Sequence, residues 1–223
     1  MNRGIELTNI NEDYIEDYIR SITPKNNDNL IRLEQYAAEN RVPIIEPEVA
    51  QFMKVILRNN KPKNILEIGT AIGYSALIMA EYTDEHAKIT TIERRDDMVN
   101  LAKNNIKDSS YSDKIRIIKG EAEEVLLTLN ESYDFIFLDA AKGQYLEFFK
   151  HCSKHLASGG MIMSDNVLFK GMVATDNLVE RRKKTIVKRL RSFLQYINNI
   201  DGYISCVIPI GDGVALTYKE DRL

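Results

Sequence analysis

Hydrophobic residues follow two successive patterns along the chain. Up to about residue 60, apolar side chains recur every three or four residues, which predicts amphipathic helices over residues 11–21, 27–40 and 47–59. From residue 63 onward, short apolar runs alternate with helical segments. The runs predict strands at 64–68, 88–92, 115–118, 135–138, 161–164, 203–208 and 214–218, and the segments between them predict helices near 74–82, 96–107, 121–129, 143–156 and 176–199.

This alternation predicts the fold class. Strands that alternate with helices form a parallel sheet covered on both faces. The last two strands are separated only by residues 209–213, which predicts a hairpin and an antiparallel edge. We therefore expect one α/β domain over residues 1–223, with a helical cap at 1–60 and a Rossmann-like, seven-stranded, mostly parallel core at 61–223.

Composition narrows the function classes. The 223 residues carry a net charge of −3, which excludes a generally basic nucleic-acid binder but allows a local basic face. No signal-peptide pattern opens the chain and no apolar run approaches the ~20 residues of a membrane span. We expect a cytoplasmic protein that does not contact a membrane.

Two predicted strand ends carry the candidate chemistry. Asp139 follows the run 135–138, and Asp165 and Asn166 follow the run 161–164. Ligands bind at the carboxyl ends of strands in open α/β sheets, and hard oxygen ligands suit Mg²⁺ or Ca²⁺. Lys142 adds a proton acceptor, although a solvated lysine at a helix start is nearly as good an interpretation. The combination indicates metal-assisted activation of a hydroxyl group.

A glycine turn follows the first strand. Gly69 allows close backbone approach to a ligand, and Gly73 stands four positions later, a spacing that differs from the GxGxxG of dinucleotide-binding folds. Glu93 ends the second strand, where an acid accepts hydrogen bonds from ribose hydroxyls. Glu121 and Ala122 end the third strand and are placed to line an adenine pocket. A nucleoside ligand explains all these positions, whereas Glu93 alone is equally well explained as a solvated acid beside two arginines.

The chain resembles the class I S-adenosylmethionine-dependent methyltransferases, specifically the metal-dependent catechol and caffeoyl-CoA type O-methyltransferases. The resemblance is carried by residues 67–75, 138–142, 164–166 and 210–213. It implies that Asp139, Asp165 and Asn166 hold Mg²⁺, or Mn²⁺ on the same oxygens, and that Lys142 stands at the general-base position. It also implies that the S-adenosylmethionine cofactor is bordered by Ser75, Glu93, Glu121, Ala122 and Asp139 and covered by Ile45.

Within that family, residues 42–46, 139–145 and 165–171 look closest to bacterial tRNA 5-hydroxyuridine methyltransferases, which make 5-methoxyuridine at the anticodon wobble position. The chain has no tryptophan to wall a small aromatic pocket, and the loop after Asn166 is short and basic. The resemblance thus implies the tRNA anticodon loop as substrate. Tyr145 and Phe169 are candidates to stack on the base, although aromatic residues at such positions are more often packing residues.

A basic cluster favours the same substrate. Seven cations interleave with apolar residues in the predicted helix 176–199: Arg181, Arg182, Lys183, Lys184, Lys188, Arg189 and Arg191. Most such helices simply present a solvated face. With Lys170 near the predicted metal, however, we expect the first four of these cations to contact RNA phosphates.

Two other functions remain open at this point. One is a small-molecule O-methyltransferase acting on a catechol-like diol with the same metal and cofactor. The other is a non-catalytic protein that binds S-adenosylmethionine or RNA. We also expect a homodimer, because the N-terminal helices present apolar faces that either cap the cofactor or meet a second copy.

Overall fold

The computed structural model describes residues 9–221, so the ends of the predicted domain, residues 1–8 and 222–223, lie outside the described part. The cap consists of three helices: α1 (Asp13–Ile22), α2 (Asp28–Asn40) and α3 (Pro47–Asn60). The core then alternates β1 (Asn64–Ile68), α4 (Tyr74–Glu81), β2 (Lys88–Glu93), α5 (Asp96–Lys107), β3 (Ile115–Lys119), α6 (Ala122–Leu126), β4 (Tyr133–Leu138), α7 (Tyr145–His155), β5 (Leu156–Ser164), α8 (Lys184–Ile197), β6 (Tyr203–Ile208) and β7 (Val214–Lys219).

The seven strands form one sheet in the order β3-β2-β1-β4-β5-β7-β6. The first five strands pair in parallel, whereas β7 pairs antiparallel with both β5 and β6. The predicted fold class is confirmed, including the antiparallel hairpin at the end of the chain.

Strand register brings the functional segments to one edge. Ile68 is paired with Ile92 on one side and with Leu138 on the other, and Leu138 is paired with Ser164. The residues that directly follow these four are therefore neighbours, because adjacent strands lie about 4.8 Å apart. The glycine turn, Glu93 and both predicted metal-binding segments meet at this edge.

The cap packs on one face of the sheet through α4. Every residue of α4 from Tyr74 to Ala80 is buried, and this helix shares a hydrophobic cluster with buried residues of α2 and α3, among them Leu33 and Met53. On the opposite face, α7 and α8 pack through edge-on aromatic contacts such as Tyr145 with Phe193. The N-terminal helices are thus a covering layer on the core.

Polar contacts fix the cap in place. The Arg20 guanidinium donates two hydrogen bonds to the buried Glu48 carboxylate, at 2.9 and 2.6 Å, which ties α1 to α3. The Tyr74 hydroxyl donates to Glu34 at 2.7 Å and ties α4 to α2. On its other side, α1 exposes Tyr14, Tyr18 and Ile22, and the expectation of a homodimer stays a prediction.

Three predicted boundaries were wrong. The helix expected over 176–199 begins only at Lys184, after short 3-10 turns at Asp176–Leu178 and Arg181–Lys183. Four consecutive cations oppose the positive end of a helix dipole, which explains the delayed start. The strand expected at 161–164 begins instead at Leu156, and a register shift between Tyr133 and Phe135 of the neighbouring strand accommodates Gly159 at φ +72°. The helix expected over 121–129 ends at Leu126.

None of the helices between residues 9 and 221 combines the length and apolar character needed to cross a membrane.

Candidate active site

A cavity of about 780 Å³ opens at the carboxyl ends of the parallel strands and is roofed by residues of the cap such as Val42 and Ile44. Four predicted cofactor positions, Gly69, Glu93, Glu121 and Ala122, line it. So do Asp139, Lys142, Asp165, Asn166 and Lys170, the predicted metal, catalytic and RNA-contacting residues. The structure therefore brings most of the predicted site together in one place.

The glycine turn between β1 and α4 is built on contacts that only glycine permits. Gly69 has φ +107°, and a Cβ on it would lie 2.0 Å from the carbonyl oxygen of Asp139. Its amide donates to the carbonyl oxygen of Ile92 at 3.0 Å. The turn thus presses against β2 and β4 at the same time, which any side chain at this position would prevent.

Glu93 organises the turn. Its carboxylate accepts hydrogen bonds from the backbone amide of Ala71 at 3.1 Å and from that of Arg95 at 2.9 Å. Each carboxylate oxygen keeps a second lone pair, so the predicted bonds to ribose hydroxyls remain available. Glu121 sits at the rim, where one of its oxygens lies 3.7 Å from the Arg94 guanidinium.

A buried acid lies beneath the turn. Glu67 accepts hydrogen bonds from the hydroxyls of Ser75 and Thr91, and burial raises its pKa from 4.5 to about 7. The hydroxyl of Ser75 is thereby committed to Glu67, and Ser75 is not part of the cavity wall. Ile45 is also buried away from the cavity surface, within the cluster that joins cap and core.

The two predicted metal-binding aspartates are side by side; Asp165 is buried and Asp139 is half-buried. Asp139 donates its amide to the carbonyl oxygen of Ile68, and Asp165 donates its amide to that of Leu138, so both continue the sheet pattern. One Asp165 oxygen accepts from the amide of Asn166 at 2.7 Å. The other, Oδ2, is fully buried and has no hydrogen-bond partner among the described residues.

Electrostatics at this pair are unfavourable without a cation. Burial raises the pKa of Asp139 despite the nearby Lys142 ammonium. Burial, followed by the charges of Asp139 and Glu46, raises the pKa of Asp165 well above its usual range. Two neighbouring carboxylates that repel each other, one of them with a buried, unpartnered oxygen, fit a divalent cation by charge and by donor chemistry. Between residues 9 and 221, however, no three His, Cys, Asp or Glu side chains are grouped closely enough to hold a metal ion by themselves.

Lys142 reaches this site from the 3-10 turn Lys142–Gln144. Its ammonium donates a hydrogen bond of 2.7 Å to Oδ1 of Asn166. The turn is held from both sides: the Arg189 guanidinium donates to the carbonyl oxygen of Gly143 at 3.2 Å, and the Gln144 amide donates to Glu123. Lys142 is therefore a positioned lysine and not a freely solvated one.

The loop after Asn166 has an unusual backbone. Asn166, Phe169 and Lys170 all have φ near +50°, a region that costs non-glycine residues energy and that clusters at functional sites. The loop is held by the β6–β7 turn: Leu168 donates its amide to the carbonyl oxygen of Asp212, and Lys170 donates its amide to the Asp212 carboxylate.

The two aromatic residues proposed to stack on a base are packing residues. Tyr145 is buried, and its hydroxyl donates to the carbonyl oxygen of Asp165 at 2.9 Å, so it supports the site from behind. Phe169 is also buried, with the Lys183 ammonium 5.4 Å from its ring centroid.

The basic cluster lies outside the cavity but next to it. Arg181, Arg182, Lys183 and Lys184 do not line the cavity wall. Contacts from Lys183 to Phe169 and from Arg189 to Gly143 nevertheless place the start of α8 against both loops that carry site residues. Arg191 is committed elsewhere, in an ion pair of 2.7 Å with Asp176.

Sequence reasoning missed Glu46 and Asp212, two acids that line the same cavity. Both stand beside residues that break regular structure, Pro47 and the glycines on either side of Asp212. Such neighbours mark loops at a sheet edge, but they do not indicate which way a side chain points.

Comparisons with known proteins agree with this geometry. A profile of the O-methyltransferase family matches residues 21–220. The catechol O-methyltransferase of Niastella koreensis is 28% identical over 91% of this chain and 95% of its own. The caffeoyl-CoA O-methyltransferase of Eucalyptus gunnii is 30% identical over 93% of this chain and 88% of its own.

Solved structures share the fold over nearly the whole length. A Staphylococcus aureus protein provisionally described as a caffeoyl-CoA O-methyltransferase superposes with a TM-score of 0.87 and 34% identity, covering 93% of this chain and 100% of that one. The S-adenosylhomocysteine-bound methyltransferase of Podospora anserina superposes with a TM-score of 0.85 and 26% identity, covering 94% of this chain and 95% of that one.

Proposed function

Because this chain belongs to the O-methyltransferase family and is an S-adenosylmethionine-dependent enzyme of the catechol and caffeoyl-CoA type, we propose that it requires Mg²⁺ and methylates 5-hydroxyuridine at the wobble position of tRNA. The observation that carries the metal requirement is the pair Asp139 and Asp165 in the cavity wall, where Asp165 is buried and one of its oxygens is unpartnered among the described residues.

In this proposal, Asp139, Asp165 and Asn166 hold the cation. A bound divalent cation makes a substrate hydroxyl more acidic and neutralises the buried acids. Asn166 takes part with the same oxygen that now accepts from Lys142. The lysine is consequently beside the proposed cation site, where as a neutral amine it would take the hydroxyl proton, or as an ammonium it would orient the resulting oxygen.

The cofactor occupies the other end of the cavity. The backbone around Gly69 allows its close approach, and Glu93 accepts bonds from its ribose hydroxyls. Glu121 and Ala122 would border its base, and Asp139 would contribute to both the cofactor site and the cation site. Positioning of the sulfonium methyl group in line with the acceptor oxygen supplies a large part of the rate in such a transfer.

The basic cluster supports an RNA acceptor. Arg181 and Lys184 are exposed, and Lys170 lines the cavity. Phosphate contacts from these cations and from Arg182 and Lys183 give RNA affinity that falls with salt. A wobble base is unpaired in its loop, so it enters a pocket without the opening of a duplex.

The assay that tests the proposal follows transfer of a labelled methyl group to tRNA lacking 5-methoxyuridine. We expect transfer by the wild type with Mg²⁺, and a loss of roughly a hundredfold or more with a chelator or in Asp165→Asn. Full activity under chelation would reject the metal role. Nucleoside analysis of the product identifies the methylated position.

The RNA surface has its own test. Reversal of the four cations at residues 181–184 to Glu should weaken tRNA binding and flatten its salt dependence. The matched control reverses four exposed lysines on other faces: Lys61, Lys63, Lys103 and Lys107. Equal tRNA affinity in both variants would argue against this surface.

A small-molecule acceptor is the second candidate, and a specific observation favours it. The catechol and caffeoyl-CoA enzymes named above match nearly the full length of this chain. Catechols compared with tRNA in the same assay separate the two: methylation of a catechol at a higher kcat/KM than tRNA would favour the small molecule.

A further inference from the structure

We propose that Glu46, at the junction of cap and core, is a further residue of the cation site, where its carboxylate adds a third negative charge to those of Asp139 and Asp165. The inference rests on the metal requirement of the proposed function. It assigns Glu46 to positioning and charge and not to direct ligation, since no three acids are grouped as a ready metal site among residues 9–221.

The position of Glu46 is set by the start of α3. It is the N-cap residue, with φ −66° and ψ 151°, and Pro47 begins the helix. Acidic side chains at this position often accept hydrogen bonds from the first turn, yet the Glu46 side chain makes no such bond. It lines the same cavity as Asp139, Asp165 and Asn166.

Glu46 is half-buried, and its carboxylate is incompletely satisfied. Its Oε2 is fully buried and has no hydrogen-bond partner among the described residues. Gly211 leaves the necessary room, because a Cβ there would lie 3.2 Å from this oxygen and 2.6 Å from a methyl group of Val49. Native proteins rarely leave a buried carboxylate oxygen unpartnered. We therefore expect this oxygen to interact with a bound group that is not part of the protein.

The charges around Glu46 indicate that the bound group is positively charged. Burial raises its pKa to about 7, and the strongest charge effects on it come from other acids: Glu48, Asp139 and Asp212. Asp165 in turn experiences the charges of Asp139 and Glu46. Glu46 and Asp165 line one cavity, and each has one oxygen without a hydrogen-bond partner among the described residues. A positive charge between these two carboxylates would stabilise both.

This arrangement would couple docking of the cap to binding of the cation. Glu46 belongs to the segment that leads into α3, whereas Asp139 and Asp165 belong to the core strands. A cation that attracts all three acids stabilises the docked cap, and the docked cap in turn raises the affinity for the cation.

The experiment measures metal binding without cofactor or substrate. Mg²⁺ and Mn²⁺ are titrated calorimetrically into wild type, Glu46→Gln, Glu46→Asp and Glu39→Gln, the last removing an exposed acid from the cap. We expect about tenfold weaker binding in Glu46→Gln, as for the loss of one nearby charge in a partly screened site. Glu39→Gln should match the wild type, and Glu46→Asp should lie closer to it than Glu46→Gln does.

Thermal unfolding supplies the second readout. Metal-free Glu46→Gln should be at least as stable as the wild type, because an unpartnered buried charge is removed, while its stabilisation by Mg²⁺ should shrink. Unchanged metal affinity in Glu46→Gln overturns the inference alone. The inference alone is also overturned if Glu46→Gln loses affinity for S-adenosylmethionine in metal-free buffer but keeps its metal affinity. A wild type that binds neither cation overturns both this inference and the proposed metal requirement.

Discussion

The ionisable side chains at the strand ends differ in their burial and in their hydrogen-bond partners. Asp165 is buried and one of its oxygens lacks a donor among the described residues, whereas Lys142 is anchored to Asn166. The neighbouring acid Glu93 shapes the glycine turn by accepting two backbone hydrogen bonds and keeps further lone pairs for a ligand. Residues of the same chemical type therefore differ in role because their local partners differ.

Lys142 is expected to act in the transfer step. Lys142→Met should lower kcat by about 10²–10⁴-fold, the usual contribution of a positioned acid or base, and leave the KM for S-adenosylmethionine unchanged. Lys170→Met is the matched control, since Lys170 lines the same cavity and is expected to contact RNA. It should raise the KM for tRNA and spare kcat; an unaltered kcat in Lys142→Met would remove the lysine from the mechanism.

Glu67 should make stability depend on pH. Its pKa is raised from 4.5 to about 7 by burial, so the folded state keeps a proton that the unfolded chain loses. Its contribution is complete below pH 4.5 and is lost as the pH rises to 7, at a cost of about 3 kcal/mol.

Denaturant unfolding of Glu67→Gln at pH 5 and pH 8 tests this expectation. The stability of the variant relative to the wild type should increase between the two pH values. Glu124→Gln, an exposed acid on α6, provides the comparison. A difference from wild type that is the same at both pH values would show that Glu67 titrates normally.

At the scale of elements, the turn between β1 and α4 depends on one missing side chain. Gly69→Ala would bring a Cβ within 2.0 Å of the Asp139 carbonyl oxygen. We expect a stability loss of about 2–4 kcal/mol, by strain and displacement of β4, and weaker S-adenosylmethionine binding. Gly202→Ala is the control: Gly202 has φ +79° but open space around it, so this variant measures the stability cost of a positive φ without a steric clash. Equal losses in the two variants would refute the steric account.

The elements also show what a sequence can and cannot predict. Six of the seven strands were expected within two residues of their observed bounds, because buried strands in an α/β sheet have a clear apolar pattern. The predicted start of α8 was wrong by eight residues. The periodicity of apolar residues carries no information about the repulsion between four adjacent cations and the positive end of a helix dipole. The strand-end residues that line the cavity were predictable for the same reason as the strands. The position of Glu46 in the cavity wall was not, because it depends on how the cap folds over the core.

At the scale of the whole molecule, the Arg20–Glu48 pair holds α1 against the rest of the cap. Arg20→Ala leaves the buried Glu48 carboxylate without its bidentate partner. We expect a loss of about 3 kcal/mol of stability, as for a broken buried ion pair, and faster proteolysis near α1. Arg32→Ala, on the exposed side of α2, should change neither. Resistance of Arg20→Ala to protease at wild-type level would show that α1 is held by other contacts.

The dependence of the Asn166–Gly171 loop on the β6–β7 turn has a consequence for synthesis. The loop takes its shape from backbone groups of Asp212 and Gly213, and β7 inserts between β5 and β6. A chain still emerging from the ribosome therefore has its cofactor pocket before it has its acceptor pocket. We expect the nascent protein to bind its methyl donor yet remain inert until the final hairpin has been translated.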